Sequence, residues 1–473
     1  MKQQKRRKKR ARPGEPQRIT KAVTQIRLIE VNPGKLAALD ELAPVYLALC
    51  QQYVTLFCLE EAPDKLRAPC YPTPLSERWQ RVAIMQAAGI AQSWRTNRAQ
   101  AYQQYQQDLA RYQQRAADGT LDAKAKEPQW REWNVPTLRQ PCIQANVNVV
   151  KLELSTDSSF DYWLTISTLE FRKQLLIPVK LAEYHQEALT DPKTHQKRTL
   201  NSSVQLNQRD GIWWLTLSYD EDVPVQTLPD APIVGIDVGI ANFVTTSTGK
   251  QYGSFHKHLR ARHKRDRAKR RRKAKLRACL KKKGAKKLPS TSSRTGQRLI
   301  RHIKHEINCA VNQCFSEEEH QEAQFAYEQL SVASMRFKAK AQNAYLRASH
   351  LGRIPQQILW NSQKRGVMAT PVISAYSSQE CSVCHYTDRK NRPDQRTFRC
   401  QVCRFEAHAD YNAAVNLSRR VGDSQLRACR DRAAIKAVLM QRHEQWKQQQ
   451  GRGNSQQVKR RKRGKSSAAA SSI

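Results

Sequence analysis

Apolar residues recur along this chain with more than one period. From Ala22 to Val31 the segment AVTQIRLIEV alternates as a strand does, and from Leu36 to Leu59 the spacing becomes helical through Leu39, Leu42, Val45, Leu49 and Val54. A stretch poor in helix breakers runs from Ser76 to Arg115, with Trp94, Ala101, Tyr105, Leu109 and Tyr112 at near-helical intervals, so two or three helices are expected here. That aromatic stripe could stack on bases, but packing within a small helical domain is the plainer expectation.

After Pro136 the texture turns to β. The segments NVNVVKLEL (Asn146 to Leu154), YWLTIST (Tyr162 to Thr168), LLIPVKL (Leu175 to Leu181), SVQLNQ (Ser203 to Gln208) and IWWLTLSY (Ile212 to Tyr219) are separated by polar turns and predict a barrel or sandwich. Between the last two, Gln208-Arg209-Asp210-Gly211 ends in a favoured hairpin dipeptide. Pro224, Pro229 and Pro232 mark a linker, and a new domain is expected from Ile233. Further on, RLIRHIKHEINCAVNQCF from Arg298 to Phe315 places Leu299, Ile303, Ile307, Ala310 and Cys314 on one helical face, a core face with Cys314 as a buried thiol.

Composition narrows the class. With 473 residues, about three domains of ~150 residues are expected, and 39% hydrophobic residues suffice for real cores. Lys and Arg number 83 against 41 Asp and Glu, a formal charge of +42, which points to a polyanionic partner. Lys2 to Arg12 holds eight basic residues and Val458 to Lys465 reads VKRRKRGK, so both ends are expected to be disordered basic tails, whether arms on nucleic acid or import signals. The absence of an unbroken run of about 18 apolar residues argues against a membrane span, and the basic start lacks the apolar stretch of a signal peptide. Eight of the 12 cysteines (Cys50, Cys58, Cys70, Cys142, Cys279, Cys309, Cys314 and Cys429) are scattered, unlike a secreted disulfide framework, so a reducing, cytoplasmic setting is expected.

Three acids stand in unusual surroundings. Asp237 interrupts the apolar strand IVGIDVGIANFVTT (Ile233 to Thr246) between Gly235 and Gly239, which would let backbone or phosphate approach. Glu328 ends the apolar stretch AQFAYEQLSV, and Asp410 opens an amphipathic helix in HADYNAAVNL. Singly, each reads as a solvated charge or a helix cap. Converging from separate elements, they could hold hard divalent cations through oxygen, as a two-metal phosphodiester site requires. Asn412 and Asn416 read as helix-start and packing polars.

Between the first two acids, Leu259 to Lys287 carries seventeen Lys or Arg against one Asp, too unbalanced for i,i+4 pairing and suited to tracking phosphates. The candidates for such contacts are Arg260, Arg262, Lys264, Arg265, Arg267, Lys269, Arg270, Arg271, Arg272 and Lys273. They would read backbone and not sequence. Cys381-x2-Cys384, fifteen intervening residues and Cys400-x2-Cys403 form the most specific motif, suited to a closed tetrahedral Zn–S4 site that is structural and not catalytic. His385 and His408 lie close by and are not needed as ligands.

GIDVGIANF with Asp237, YEQL with Glu328, YSSQECSVC through FRCQVC from Tyr376 to Cys403, and HADYNAAVNL with Asp410 resemble the TnpB and compact type V CRISPR effector family in order and spacing. The resemblance implies a multidomain α+β and α/β chain: a wedge β-barrel at 21–32 and 136–232, an inserted helical recognition domain at 33–135, an RNase H-like RuvC nuclease core at 233–375 and 404–420, and an inserted zinc ribbon at 376–403. Basic flanks at 1–20 and 421–473, the latter largely disordered at its end, complete it. It further implies that Asp237, Glu328 and Asp410 bind two Mg²⁺, that zinc is structural, and that the partners are a guide RNA and target double-stranded DNA, with no membrane and either one copy or a homodimer. The chain departs from the family where Gln329, and not an acid, follows Glu328, and in its longer basic tail. The implied activity is RNA-guided DNA cleavage; the alternatives are an RNA-guided DNA binder that cuts little or not at all, and a transposase.

Overall fold

The computed structural model describes residues 16–29, 31–121, 126–170, 172–192, 194–226, 230–282, 294–328, 340–429 and 431–467. It divides into two compact units, one spanning Arg18–Glu221 and the other Met1–Gln17 with Asp222–Ile473.

The first unit contains β1 (Gln17–Arg27), α1 (Pro33–Leu59), α2 (Glu77–Ala117), β2 (Cys142–Ala145), β3 (Val150–Leu154), β4 (Tyr162–Ser167), β5 (Gln174–Val179), α3 (Glu183–Leu189), β6 (Val204–Arg209) and β7 (Ile212–Val223). β1 starts inside the expected tail at 1–20, because Ile19 and Val23 are buried on one face of the strand. Gln25, at φ 68°, then shifts the alternation so that Ile26 and not Gln25 is buried, as a bulge does. Residues 1–15 of that tail lie outside the described residues.

α1 begins where Asn32 accepts a hydrogen bond from the amide of Gly34, with Pro33 in the first turn. By length and composition α1 could cross a membrane, which counting unbroken apolar runs had argued against. Its Leu39, Leu42, Tyr46, Tyr53 and Phe57 are instead a core face. The buried Gln86 of α2 receives the Tyr46 hydroxyl at 2.8 Å and bonds both the carbonyl of Cys142 and the amide of Gln144. Helices and sheets therefore share one core, and the helical block expected as a separate domain is continuous with the β region. α2 buries residues only from Trp79 to Ala91. Of the aromatic stripe, Trp94 packs against that core as expected, whereas further along the helix the exposed Tyr102 and the half-buried Tyr105 meet Trp130 at 5.0 and 5.7 Å outside it.

The strands form two hydrogen-bonded sheets, β1-β7-β6-β2 and β3-β4-β5, where the strand pattern predicted a barrel or sandwich and the resemblance implied a barrel. Asn146 explains the break: its side chain accepts from the amide of Asn148 and its carbonyl from Val149 and Val150, a turn that ends β2 and delays β3 until Val150. The hairpin between β6 and β7 forms as expected, with Asp210 at φ 52° and Gly211 at φ 77°.

The second unit contains β8 (Ile233–Asp237), β9 (Val244–Thr246), β10 (Gln251–Tyr252), α4 (His256–Lys282), α5 (Arg294–Ser316), β11 (Gln324–Glu328), α6 (Lys340–Ser349), α7 (Ile354–Arg365), β12 (Ala369–Val372), β13 (Thr397–Arg399), β14 (Glu406–His408), α8 (Ala409–Ser418), α9 (Ser424–Ala428) and α10 (Arg432–Ser467). Its main sheet runs β10-β9-β8-β11-β12: β9 is antiparallel to β8 and β10, and β11 is parallel to β8 and β12. Val234, Ile236, Phe325 and Tyr327 join a core with Ile303 and Ile307 of α5 and Ile354 and Ile358 of α7. The predicted face of α5 is the buried one, and burial pushes the Cys314 thiol up to about 12.

The basic extension expected at 421–473, largely disordered at its end, begins on a folded base and stays helical through Ser467. Leu426, Ile435 and Leu439 form a small core, Asp423 caps α9 and pairs with Arg442 at 2.8 Å, and α10 continues through Ser467, including Val458 to Lys465. Buried apolar residues at the base of α10 are what a solvated tail lacks.

Candidate functional site

Strand periodicity and register bring two of the three acids together. Successive side chains of a strand point to opposite faces. Val234 and Ile236 pack toward α5 and α7, so Gly235 and Asp237 face the other way, and Ala326 and Glu328 do the same on β11. Tyr327 pairs with Ile236 in the parallel ladder, so Asp237 and Glu328, one residue further on, sit side by side at the carboxyl ends of adjacent strands.

α8 covers that face and brings the third acid. It can lie this close only because residue 235 has no side chain: a Cβ there would stand 1.9 Å from the carbonyl oxygen of Ala414. Ala326 and Leu417 fill the rest of the contact. Asp410 stands in the first turn of α8, its amide donating to Nδ1 of His408, the capping residue. Its carboxylate meets Arg392 at 3.1 Å.

The charges of the other two acids are felt at Asp237. Burial raises the Asp237 carboxyl well above the ordinary range, Asp410 and Glu328 repel its charge further, and Arg392 opposes the shift. Glu328 is also raised by burial, against the opposing effects of a hydrogen bond from Ser374 and the charge of Arg420. Among the described residues only the four thiols of the cysteine motif draw three or more ligand atoms within 4.8 Å of one another, so the three carboxylates form an open group and not a closed cage.

The cysteine motif forms that closed group. Cys381 and Cys403 sulfurs are 3.6 Å apart and those of Cys384 and Cys400 are 3.5 Å apart, near the edge of about 3.8 Å expected for a tetrahedron with Zn–S bonds of about 2.3 Å. Both turns close through backbone bonds, from the Cys381 amide to Tyr386 and from the Cys400 amide to Phe405. A hydrogen bond from Cys384 lowers the Cys381 thiol to about 5, with help from the Val383 and Cys384 amides, so a thiolate is ready for a metal. The four cysteines could therefore hold zinc. Elemental analysis should find one zinc per chain, and Cys384→Ser should lose it and lower the melting temperature of the second unit, because structural zinc contributes on the order of 10 kcal/mol in small finger domains.

The ribbon is fastened to α8 by groups that sequence reading took as packing polars or passed over. Asn412 accepts from the Ser382 amide and donates to the Glu380 carbonyl, and Asn416 donates to the carbonyls of Ser377 and Glu380. Arg419 reaches the Ser382 carbonyl. From the other side, His443 of α10 donates to the Cys384 carbonyl at 2.7 Å, and Trp446 packs against the ribbon core. Arg392, Ser374, Glu380 and Arg420 carry no motif; the position of Glu380 immediately before Cys381 is their one sequence signal.

The basic run becomes α4 up to Lys282, and the rest of it, from 283, lies outside the described residues. Arg262 and Arg265 pair with Asp266. Lys264, Arg267, Lys269, Arg270, Arg271, Arg272 and Lys273 are exposed, whereas the side chain of Arg260 is outside the described residues.

These features define a mixed α and β protein in which a four-cysteine ribbon is bound to the helix that completes an acidic face. Residues 352–417 match the family described as Cas12f1-like, TNB domain. InsQ of Escherichia coli K12, named as a candidate RNA-guided DNA endonuclease, is 27% identical over 229 residues, 46% of this chain and 55% of InsQ. The CRISPR-associated endodeoxyribonuclease Cas12f1 of Sulfoacidibacillus thermotolerans is 38% identical over 65 residues, 14% of this chain and 15% of that protein. The chain is thus similar over part of its length to an RNA-guided DNA endonuclease and to a CRISPR-associated endodeoxyribonuclease, and its matches span about half of InsQ and a smaller part of Cas12f1. Solved structures of a Cas12f1-sgRNA-target DNA complex (14% identity, TM-score 0.39, 85% of this chain and 99% of that one) and of the mini-RNA-guided endonuclease CRISPR-Cas_phi3 (10%, 0.46, 86% and 92%) are also similar.

Proposed function

We propose that this chain is an RNA-guided DNA endonuclease in which Asp237, Glu328 and Asp410 form the catalytic site. One observation carries the reading: two adjacent strand ends and the first turn of α8 direct three carboxylates to one face, where Asp237 feels both of the others. Such mutual repulsion is unfavourable without cations, and removing it is what bound divalent metal does. When bound, Mg²⁺ ions would supply an activated water and stabilisation of the departing 3′ oxygen. The protein's part is to hold three oxygen donors on rigid elements, with α8 fixed in turn by the ribbon.

The sheet order, an antiparallel β10-β9-β8 edge continued by parallel β11 and β12, supports the reading of residues 233–375 and 404–420 as an RNase H-like core. The ribbon at 376–403 takes structural zinc. The exposed cations of α4 track nucleic-acid backbone, guide RNA offsets the excess positive charge, and pairing with the guide selects target DNA. The names of InsQ and Cas12f1 support this reading.

The test is to purify the protein with its co-purifying RNA, sequence that RNA, and present DNA matching it. Cleavage should require both the RNA and Mg²⁺, and stop on adding EDTA. Stable guide-dependent occupancy of the target with no product under Mg²⁺ or Mn²⁺ would replace the nuclease with a non-cutting binder.

A further inference from the structure

We infer that Asn391 is a positioning residue that holds Arg392 on Asp410 as the counter-ion of the acidic face until divalent cations bind; this rests on the proposed role of the three acids as a metal site. Asn391 lies in the cysteine ribbon, is fully buried, and uses every polar atom of its side chain. Its amide donates to the carbonyls of Gln379 and Tyr386, both at 2.9 Å, one just before the first cysteine turn and one just after it. Its oxygen accepts from the backbone amide of Gln401, between Cys400 and Cys403 of the second turn, at 3.0 Å. One side chain thus spans both cysteine turns. The next residue carries the charge: a terminal nitrogen of Arg392 donates to the carbonyl of Gln395 at 2.8 Å and to the carboxylate of Asp410 at 3.1 Å.

The stretch from Asp388 to Thr397 that carries Arg392 is almost wholly polar, so apolar packing does little to fix it. Hydrogen bonds do so instead. Asp388 accepts from the Lys390 amide at 2.7 Å and caps the short turn Arg389–Asn391 that leads into Arg392. An apolar side chain at 391 would leave two carbonyls and one amide without the partner they have now, which is costly in a buried place. The anchored cation has a task when no metal is present. Asp410 and Glu328 repel the charge of Asp237, and Arg392 offsets that repulsion. Its pair with Asp410 is mostly shielded from solvent, the side chains being 27% and 12% exposed, so salt screens it little. A divalent cation on Asp410 meets the same guanidinium as a like charge, and the contact that relieves the metal-free site therefore competes with the metal.

Mn²⁺ binding to the full chain, followed by electron paramagnetic resonance of the free ion, tests this without relying on cleavage, and the sign of the change separates it from a merely structural role. Arg392→Gln should tighten Mn²⁺ binding about tenfold, the scale on which one charge at this range shifts the ionisation of a carboxyl. Asn391→Ala should tighten it too, by a smaller factor, because Arg392 keeps its charge and loses its place. The double variant should bind as Arg392→Gln does, since Asn391 acts through Arg392. A structural loss in the ribbon, which loosens α8 and with it Asp410, weakens binding instead. Unchanged or weaker binding in Asn391→Ala or in Arg392→Gln, or a further change in the double variant, overturns the inference. If Asn391→Ala does not fold, Asn391→Ser, which keeps a hydroxyl for one of the three bonds, decides it by the same sign. Should wild type bind no more Mn²⁺ than Asp237→Asn, the reading of the acids as a metal site fails and this inference with it; wild-type binding that Arg392→Gln and Asn391→Ala leave unchanged removes only the positioning role.

Discussion

Asp237→Asn is expected to reduce guided DNA cleavage by a factor on the order of 10³ or more and, in the same protein, to raise the melting temperature of the metal-free form at neutral pH. The loss of activity follows from removing a charged donor aimed at bound cations, a change of the kind that costs 10²–10³ when even a single neutral stabilising donor is lost. The gain in stability follows from the direction of the pKa shift. Burial, with repulsion from Asp410 and Glu328, raises the Asp237 carboxyl well above its value in the unfolded chain, near 3.8. Between those two values the folded state binds more protons than the unfolded one, so stability falls as pH rises through that window. At neutral pH the wild-type carboxyl has lost that proton-linked contribution or lies on the slope where it is being lost, whereas asparagine keeps a neutral group of the same shape. Melting curves in EDTA should therefore show the variant above wild type at pH 7 and the difference closing below about pH 4. Added Mg²⁺ should stabilise wild type and not the variant. A variant that cleaves as wild type does would remove Asp237 from the proposed catalytic role, and an unchanged melting temperature in EDTA would show the repulsion to be relieved by some other group.

Gly235→Ala should destabilise the second unit by about 3 kcal/mol or more, the upper end of the cost of overpacking. The added methyl would lie 1.9 Å from the carbonyl oxygen of Ala414 and 2.8 Å from the amide nitrogen of Ser418. Both obstacles are backbone, so no rotamer change can make room and α8 must move off the sheet as a body. That movement carries Asp410 away from Asp237 and Glu328, so cleavage should be lost even at temperatures where the variant remains folded. Denaturant unfolding measures the first effect and cleavage at low temperature the second. Gly89→Ala is the control: it lies inside α2, meets no atom within 4 Å, and should stabilise by about 1 kcal/mol through helix propensity alone. A wild-type stability for Gly235→Ala would mean that α8 does not rest on β8 as closely as described.

Features that depend on neighbours along the chain were legible before the fold was known. Period-two runs marked most strands, period-3.6 runs marked α1 and the core face of α5, Asp210-Gly211 marked a hairpin, and paired cysteine turns marked a closed ligand set. The sequence also singled out Asp237 inside an apolar strand, Glu328 at the end of one and Asp410 at the start of an amphipathic helix, by their joint order and the resemblance that order carries. It overextended the N-terminal tail into β1 and made the end of the C-terminal extension disordered where α10 continues, since basic composition was visible while the distant partners of Ile435, Leu439 and Trp446 were not.

Tertiary structure alone decided the rest. Which faces of β8 and β11 carry the acids follows from strand pairing, and why Gly235 must be glycine is apparent only once α8 lies across it. Arg392 and Arg420 are two among 83 basic residues, and nothing in the local pattern separates them from those on the exposed face of α4. What distinguishes them is a partner 18 residues away for Arg392 and three partners between 40 and 47 residues away for Arg420. Periodicity records which face of an element is apolar, whereas a buried charge is defined by what meets it across the fold, and that meeting has no period to read.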